Sequence, residues 1–290
     1  MSGLLNEMAQ SSLERVGAAR EIESEQSLWL RANDTPPAPS LKLSLEGFDI
    51  IAECKLHSPS MGNLSANTAD VESRVIAYAQ GGACAVSVLT EPTRFGGDLD
   101  HLKRASEILS PLDVPTMRKD FLVDPYQVME GRVAGAGGIL VIVRMLEKSH
   151  VTALLDCAAM LKMFVLLEAF DANDLSIAKE ILATRKDHKE QVLVGLNCRD
   201  LQSLAIDIER FGVLADQMPN GYAAVAESGV GTAADVMRIV EWHYRIALIG
   251  TTLMNSAEPK KLVADLLAAG REKAMTTSTR KLNLSPIPKT

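Results

Sequence analysis

The stretch FDIIAECKLHSPSMGNL, residues 48–64, decides how the chain is read. Its first five residues form the apolar run that a strand buried on both faces needs. The run then ends on charge, with Glu53 and Lys55. Residues two apart on a strand point to one side, so these opposite charges share a face. Directly after come Ser58, Pro59, Ser60, Met61 and Gly62, a turn of small and hydroxylated residues. Charge at the carboxyl end of an apolar strand is expensive to bury unless it is paired or used. On this stretch alone, a structural ion pair and a functional pair are equally open.

Outward from it, the same kind of run returns seven more times. ACAVSVLT (83–90), VPTMRKD (114–120), GILVIV (138–143), MFVLLEAF (163–170), QVLVGLNC (191–198), YAAVAES (222–228) and RIALIG (245–250) are each short and rich in β-formers. Amphipathic segments with helix signals fill the gaps: Asp124-Pro125 gives an N-cap with proline in the first turn, Gly135 ends that helix, and Thr232 opens another. Alternating strand and helix implies right-handed parallel crossovers, and eight such units predict a closed (β/α)8 TIM barrel. Ahead of it, Leu4, Leu5, Met8, Leu13, Val16 and Ile22 recur with helical spacing, and a connector rich in proline runs from Ala32 to Pro39. The expected organisation is an N-terminal helical extension and connector over 1–47, a barrel over 48–274, and a flexible tail over 275–290.

Composition narrows the class of function. A net charge of −7 argues against a general nucleic-acid binder, and aromatic content of 4% leaves no platform for stacking bases. No apolar run approaches a membrane span, and the first residues have no signal-peptide pattern. Cys54, Cys84, Cys157 and Cys198 show no CxxC or metal-ligand spacing, and the expected setting is a reducing cytoplasm. The histidines are dispersed, so no metal site is expected.

In a (β/α)8 barrel, chemistry belongs at the carboxyl ends of the strands. Read one at a time, those ends carry Glu53 and Lys55; Thr90 and Glu91; Arg118, Lys119 and Asp120; Arg144; Glu168; Asn197 and Arg199; Glu227 and Ser228; Gly250 and Thr251. Each alone could be a charge capping a strand in solvent. Together, two lysines, three glutamates and an asparagine on one mouth form a dense set of proton donors and acceptors whose pKa values should shift. Gly229, Gly250 and Thr251 offer backbone N–H groups at helix starts, and Ser58 a hydroxyl, where barrels commonly hold phosphate. The expected partner is therefore a phosphorylated small molecule.

At these residues the sequence resembles the indole-3-glycerol phosphate synthase family. The likeness is carried by IIAECKLHSPS, AVSVLTEPTRFGGDLDHL, PTMRKDFLVDPYQVMEGRVAGAGGILVIV, LLEAF, GLNCRDL, AESGV and LIGTTLM. The resemblance implies a cytoplasmic lyase of tryptophan biosynthesis that needs no cofactor. Its reaction is closure of 1-(2-carboxyphenylamino)-1-deoxyribulose 5-phosphate to indole-3-glycerol phosphate, with loss of carbon dioxide and water. Carried over by motif, Lys119 would be the general acid, Lys55 a group near the substrate carboxylate and a second donor, and Glu168 the acid–base partner. Glu53 and Asn197 would orient the lysines, Glu227 and Ser228 would complete the ring, and Arg199 would help hold it. Ser58, Gly229, Gly250 and Thr251 match phosphate contacts; Phe95, Phe121, Leu140 and Leu201 match an apolar wall for the anthranilate ring. A lysine whose pKa is lowered by desolvation or by other cations would be a competent donor near neutral pH.

His57 and Met61 depart from the family pattern beside the expected substrate. Alternatives are a barrel isomerase acting on another phosphosugar, a specialised paralogue, and a non-catalytic phosphate binder. The expected assembly is a monomer or weak homo-oligomer, without nucleic acid or membrane.

Overall fold

The structure, a computed structural model, describes residues 3–55, 57–58, 62–63, 68–185, 191–201 and 203–283; at 57–58, 62–63, 68–70 and 278–283 it describes the backbone only. Eight strands form a closed parallel barrel. They are β1 (Asp49–Cys54), β2 (Ala85–Leu89), β3 (Thr116–Lys119), β4 (Gly138–Ile142), β5 (Phe164–Ala169), β6 (Val192–Asn197), β7 (Ala223–Glu227) and β8 (Ile246–Ile249). Each lies inside one of the eight runs read from the sequence. β8 closes on β1 through the register Asp49↔Ile246 to Ala52↔Ile249.

Alternation along the strands sorts the chain into two cores. Ile51, Ala85, Met117, Leu140, Leu166, Leu193, Val225 and Leu248 pack together inside the barrel. Their sequence neighbours, among them Ile50, Ala52, Val86, Ile139, Val165 and Val194, belong to the shell between barrel and helices. This double burial is why the strands read as continuous apolar runs.

Twelve α-helices stand beside the barrel strands among the described residues. α1 (Gly3–Ile22) and α2 (Glu25–Asp34) precede the barrel; α3 (Thr68–Gly81), α4 (Pro92–Phe95), α5 (Leu99–Leu109), α6 (Pro125–Val133), α7 (Lys148–Met160), α8 (Ala172–Ala183), α9 (Glu209–Leu214), α10 (Ala233–Glu241), α11 (Thr251–Asn255) and α12 (Pro259–Asn283) follow. Side-chain caps fix several of their starts. Asp124 accepts from Tyr126 N with Pro125 in the first turn, and Thr232 and Asp235 form a reciprocal capping box. Gly135 closes the α6 turn at φ +88°.

Two boundaries differ from expectation. α2 runs to Asp34, taking in residues assigned to the connector, because Ala32 is buried and holds the last turn against the barrel. α12 continues to Asn283, past the expected tail boundary at 275. From there proline, the strongest helix breaker, is absent until Pro286, and Lys273 pairs with Glu241 of α10 just before the expected boundary. Among the described residues no helix is long and apolar enough to cross a membrane.

The extension is tied to the barrel by buried polar contacts. Ser12 Oγ donates to the Phe121 carbonyl at 2.5 Å, Arg15 grips Asp120, and the Tyr126 hydroxyl donates to the carbonyls of Ala19 and Glu23. Leu5 is fully buried in the inner core of the barrel. The extension thus reaches the mouth itself.

Candidate active site

A cavity of about 540 Å3 opens at the carboxyl ends of the strands. Period-two alternation aims Glu53 of β1, Lys119 of β3, Glu168 of β5, Asn197 of β6 and Glu227 of β7 inward at their strand ends. Lys55, Ser228, Arg199, Gly229, Gly250 and Thr251 line the same cavity. So do Phe95, Phe121, Leu140 and Leu201 on its apolar side. Of the residues expected from sequence, the Ser58 side chain lies outside the described residues, as do the His57 side chain and Met61.

The polar groups form two linked clusters. Lys55 Nζ donates to Glu53 Oε1 at 2.7 Å. Lys119 Nζ sits between two carboxylates, 3.3 Å from Glu168 Oε2 and 3.4 Å from Glu227 Oε2. Asn197 Nδ2 donates to the other Glu168 oxygen at 2.9 Å, while Asn197 Oδ1 accepts from the Arg199 backbone at 3.0 Å. Glu168 therefore has both oxygens engaged, whereas Glu227 Oε1 is buried and has no partner among the described residues.

Glycines make room for this arrangement. A Cβ at Gly195 would lie 2.0 Å from Glu227 Oε1, and one at Gly250 would lie 2.4 Å from Glu53 Oε1. Gly250 was read from sequence as a phosphate contact; its missing side chain also makes space for the Glu53–Lys55 pair. Gly229, at φ +77°, lets Ile206 close over the turn after β7.

Charge crowding shifts protons in distinct directions. Burial would raise the Glu53 pKa, but the cations of Lys55, Lys119 and Arg199 hold it below its ordinary value. For Glu227, burial and the carboxylates of Glu168 and Glu53 outweigh Lys119 and push it up to about 8. Lys119 corrects the sequence reading. Burial would lower its pKa, but Glu168, Glu227 and Glu53 overcome that and raise it. It is held as an ammonium ion, a loaded donor.

Not every strand-end charge faces the mouth. Arg118 turns outward and is buried beneath α6, bonding the Gln127 carbonyl and Asp120. Glu91 caps α4 through the N–H groups of Thr93, Arg94 and Phe95. Arg144 reaches Asp171 and Asp174 at the start of α8. The sequence reading also passed over residues that line the cavity. Leu4 and Leu5 arrive from α1, Leu204 and Ile206 from the loop after β6, and Ile142 and Phe170 from the ends of β4 and β5. Phe170 follows Glu168 by two, and that spacing was the signal available. Among the described residues no group of His, Cys, Asp and Glu is placed to hold a metal ion.

Comparison with known proteins adds an independent finding. Residues 5–266 match the family described as Indole-3-glycerol phosphate synthase. A protein of that name from Parafrankia sp. is 36% identical over 260 residues, covering 89% of this chain and 92% of its own. One from Beutenbergia cavernae is 39% identical over 230 residues, covering 79% and 81%. One from Mycobacteroides abscessus is 37% identical over 256 residues, covering 87% and 90%. Among solved structures, a thiamine phosphate pyrophosphorylase from Pyrococcus furiosus superposes with a TM-score of 0.56 at 11% identity, covering 79% of this chain and 99% of its own. At that identity the likeness speaks for the barrel alone.

Proposed function

We propose that this chain, which belongs to the indole-3-glycerol phosphate synthase family, uses the Lys119 cluster to close the indole ring. The reaction is conversion of 1-(2-carboxyphenylamino)-1-deoxyribulose 5-phosphate to indole-3-glycerol phosphate, with loss of carbon dioxide and water. One observation carries the assignment of roles: a lysine held cationic between Glu168 and Glu227, with a second lysine–glutamate pair beside it.

That geometry supports the following roles. Ring closure needs a proton delivered to the ribulose carbonyl oxygen as the aromatic carbon attacks, and Lys119 is the loaded acid. Lys55, paired with Glu53, sits where it can receive the substrate carboxylate and serve as a second donor. Loss of carbon dioxide from the attacked carbon restores the benzene ring, and Glu168, oriented by Asn197, then accepts the carbon-bound proton of the new five-membered ring as the protonated hydroxyl leaves as water. Ser228, Gly229, Gly250, Thr251 and Ser58 hold the phosphate, and Arg199 steadies Asn197. Phe95 and Phe121, with ring centroids 6.1 Å apart, join Leu140 and Leu201 against the anthranilate ring. Holding both ends fixes a flexible substrate in a reactive fold. The extension over 1–47 serves the barrel as a cover for this mouth, and the enzyme works in the cytoplasm as a monomer or weak homo-oligomer.

The test is direct. Purified protein mixed with the carboxyphenylamino-deoxyribulose phosphate should produce indole fluorescence. No signal at high enzyme concentration removes the reading.

A further inference from the structure

We propose that Phe170 is a specificity-determining wall of the cavity, limiting which substituents the aromatic ring of the substrate can carry; this rests on the reaction proposed above. Phe170 is 3% exposed, packs in the inner core and lines the cavity on the same face as Glu168. Three charged side chains from three elements hold it. Asp174 of α8 accepts its N–H at 2.8 Å, and Arg210 of α9 donates to its carbonyl. The Arg144 guanidinium lies over its ring, 4.8 Å from the centroid. Arg144 is fixed in turn: its Nε donates to Asp174 Oδ2 at 2.7 Å, and it pairs with Asp171.

This clamp distinguishes Phe170 from the other apolar residues of the mouth. A strand-end residue needs partners for its backbone, but the guanidinium over the ring restrains the side chain as well. The neighbouring wall is aliphatic, Leu140 and Ile142 of β4. Phe170 cannot rotate aside without leaving Arg144. The groups suited to phosphate, Gly229, Gly250 and Thr251, follow β7 and β8, so the aromatic end of a bound substrate lies toward β3–β5. Its edge on the β5 side meets an immobile ring. Selectivity built on a steric wall excludes added groups better than it discriminates among smaller ones.

The experiment uses the parent substrate and analogues carrying one methyl or chloro group at each open position of the benzene ring. Relative kcat/KM is measured for the natural protein, Phe170→Leu and Phe170→Ala. For at least one ring position, Phe170→Ala should raise the ratio of substituted to parent by about tenfold or more, with Phe170→Leu between. Arg144→Gln, which frees the ring without removing it, should relax the same position to a smaller extent. Dissociation constants for the unreactive series, in which the carbonyl is reduced to an alcohol, read the same selectivity without turnover. Unchanged ratios at every position, in variants that keep a cooperative thermal transition, overturn the proposal. Absence of turnover in the natural protein overturns the reaction instead, and the binding ratios still decide the case for Phe170.

Discussion

Arg15 holds Asp120 in a two-bond fork, Nη1 to Oδ2 at 3.0 Å and Nη2 to Oδ1 at 2.8 Å, across 105 positions of sequence. Asp120 also accepts from Arg118, Thr90 Oγ1 and the Phe121 backbone. It is the residue next to Lys119, and Ser12 of the same helix holds the Phe121 carbonyl. α1 therefore grips the chain on the far side of the strand end that carries the central lysine. The many donors overcome burial and hold the Asp120 carboxyl down at about 2.

Arg15→Ala should lower stability by about 1–2 kcal/mol, the scale of a charge-assisted fork that is partly exposed. The loss is measured as a shift of the denaturant midpoint. Because α1 lines the cavity through the apolar Leu4 and Leu5, which carry no group for proton transfer, it should act on binding rather than on the chemical step. KM should then rise more than kcat falls. A large loss of kcat at unchanged KM would contradict this.

Lys119→Met should reduce kcat by about 10²–10⁴-fold, the range of a lost general acid, while affinity for the reduced substrate analogue changes little. Gly229, Gly250 and Thr251, proposed above to hold the phosphate, follow β7 and β8 rather than β3, so that hold should survive the loss of the Lys119 charge. Retained turnover would remove Lys119 from the acid role.

Gly195→Ala is a test of the space beneath Glu227. The new Cβ would lie 2.0 Å from Glu227 Oε1 and 3.1 Å from the Leu166 side chain. Glu227 must swing away, and with it the spacing to Lys119. Displacing a reacting group by about an ångström costs on the order of 100-fold in rate. Circular dichroism and thermal melting should show a folded protein with kcat lowered by about that factor; unaltered kcat would mean that the Glu227 position is not used.

Much of this was legible before any coordinates. The eight runs could be read because strands buried on both faces carry apolar residues at nearly every position, and charge stands out where such a run ends, as at Glu53 and Glu168. What stayed hidden depends on distance in space. Nothing near Arg15 points to Asp120. Arg118 and Lys119 are adjacent charges, and only the phase of β3 decides which faces the mouth. The sign of the Lys119 shift required counting carboxylates from three other strands. Phe170 read as the last residue of an apolar run until Arg144, Asp174 and Arg210 converged on it.

Glu227 yields a prediction about pH. Lys119 serves two carboxylates, and of these Glu168 also has Asn197, while Glu227 Oε1 has no donor among the described residues. The proton of the cluster belongs on Glu227, in line with its rise from 4.5 to about 8. An unfolded chain loses that proton near 4.5, so between the two values the native state binds a proton that the unfolded state lacks. Stability from this group is complete below 4.5 and is lost as pH rises through about 8, with a slope of at most about 1.4 kcal/mol per pH unit. Denaturant unfolding of the natural protein and of Glu227→Gln across this window should show a decline in the former that the latter lacks. Parallel stability curves for the two proteins would place the proton elsewhere.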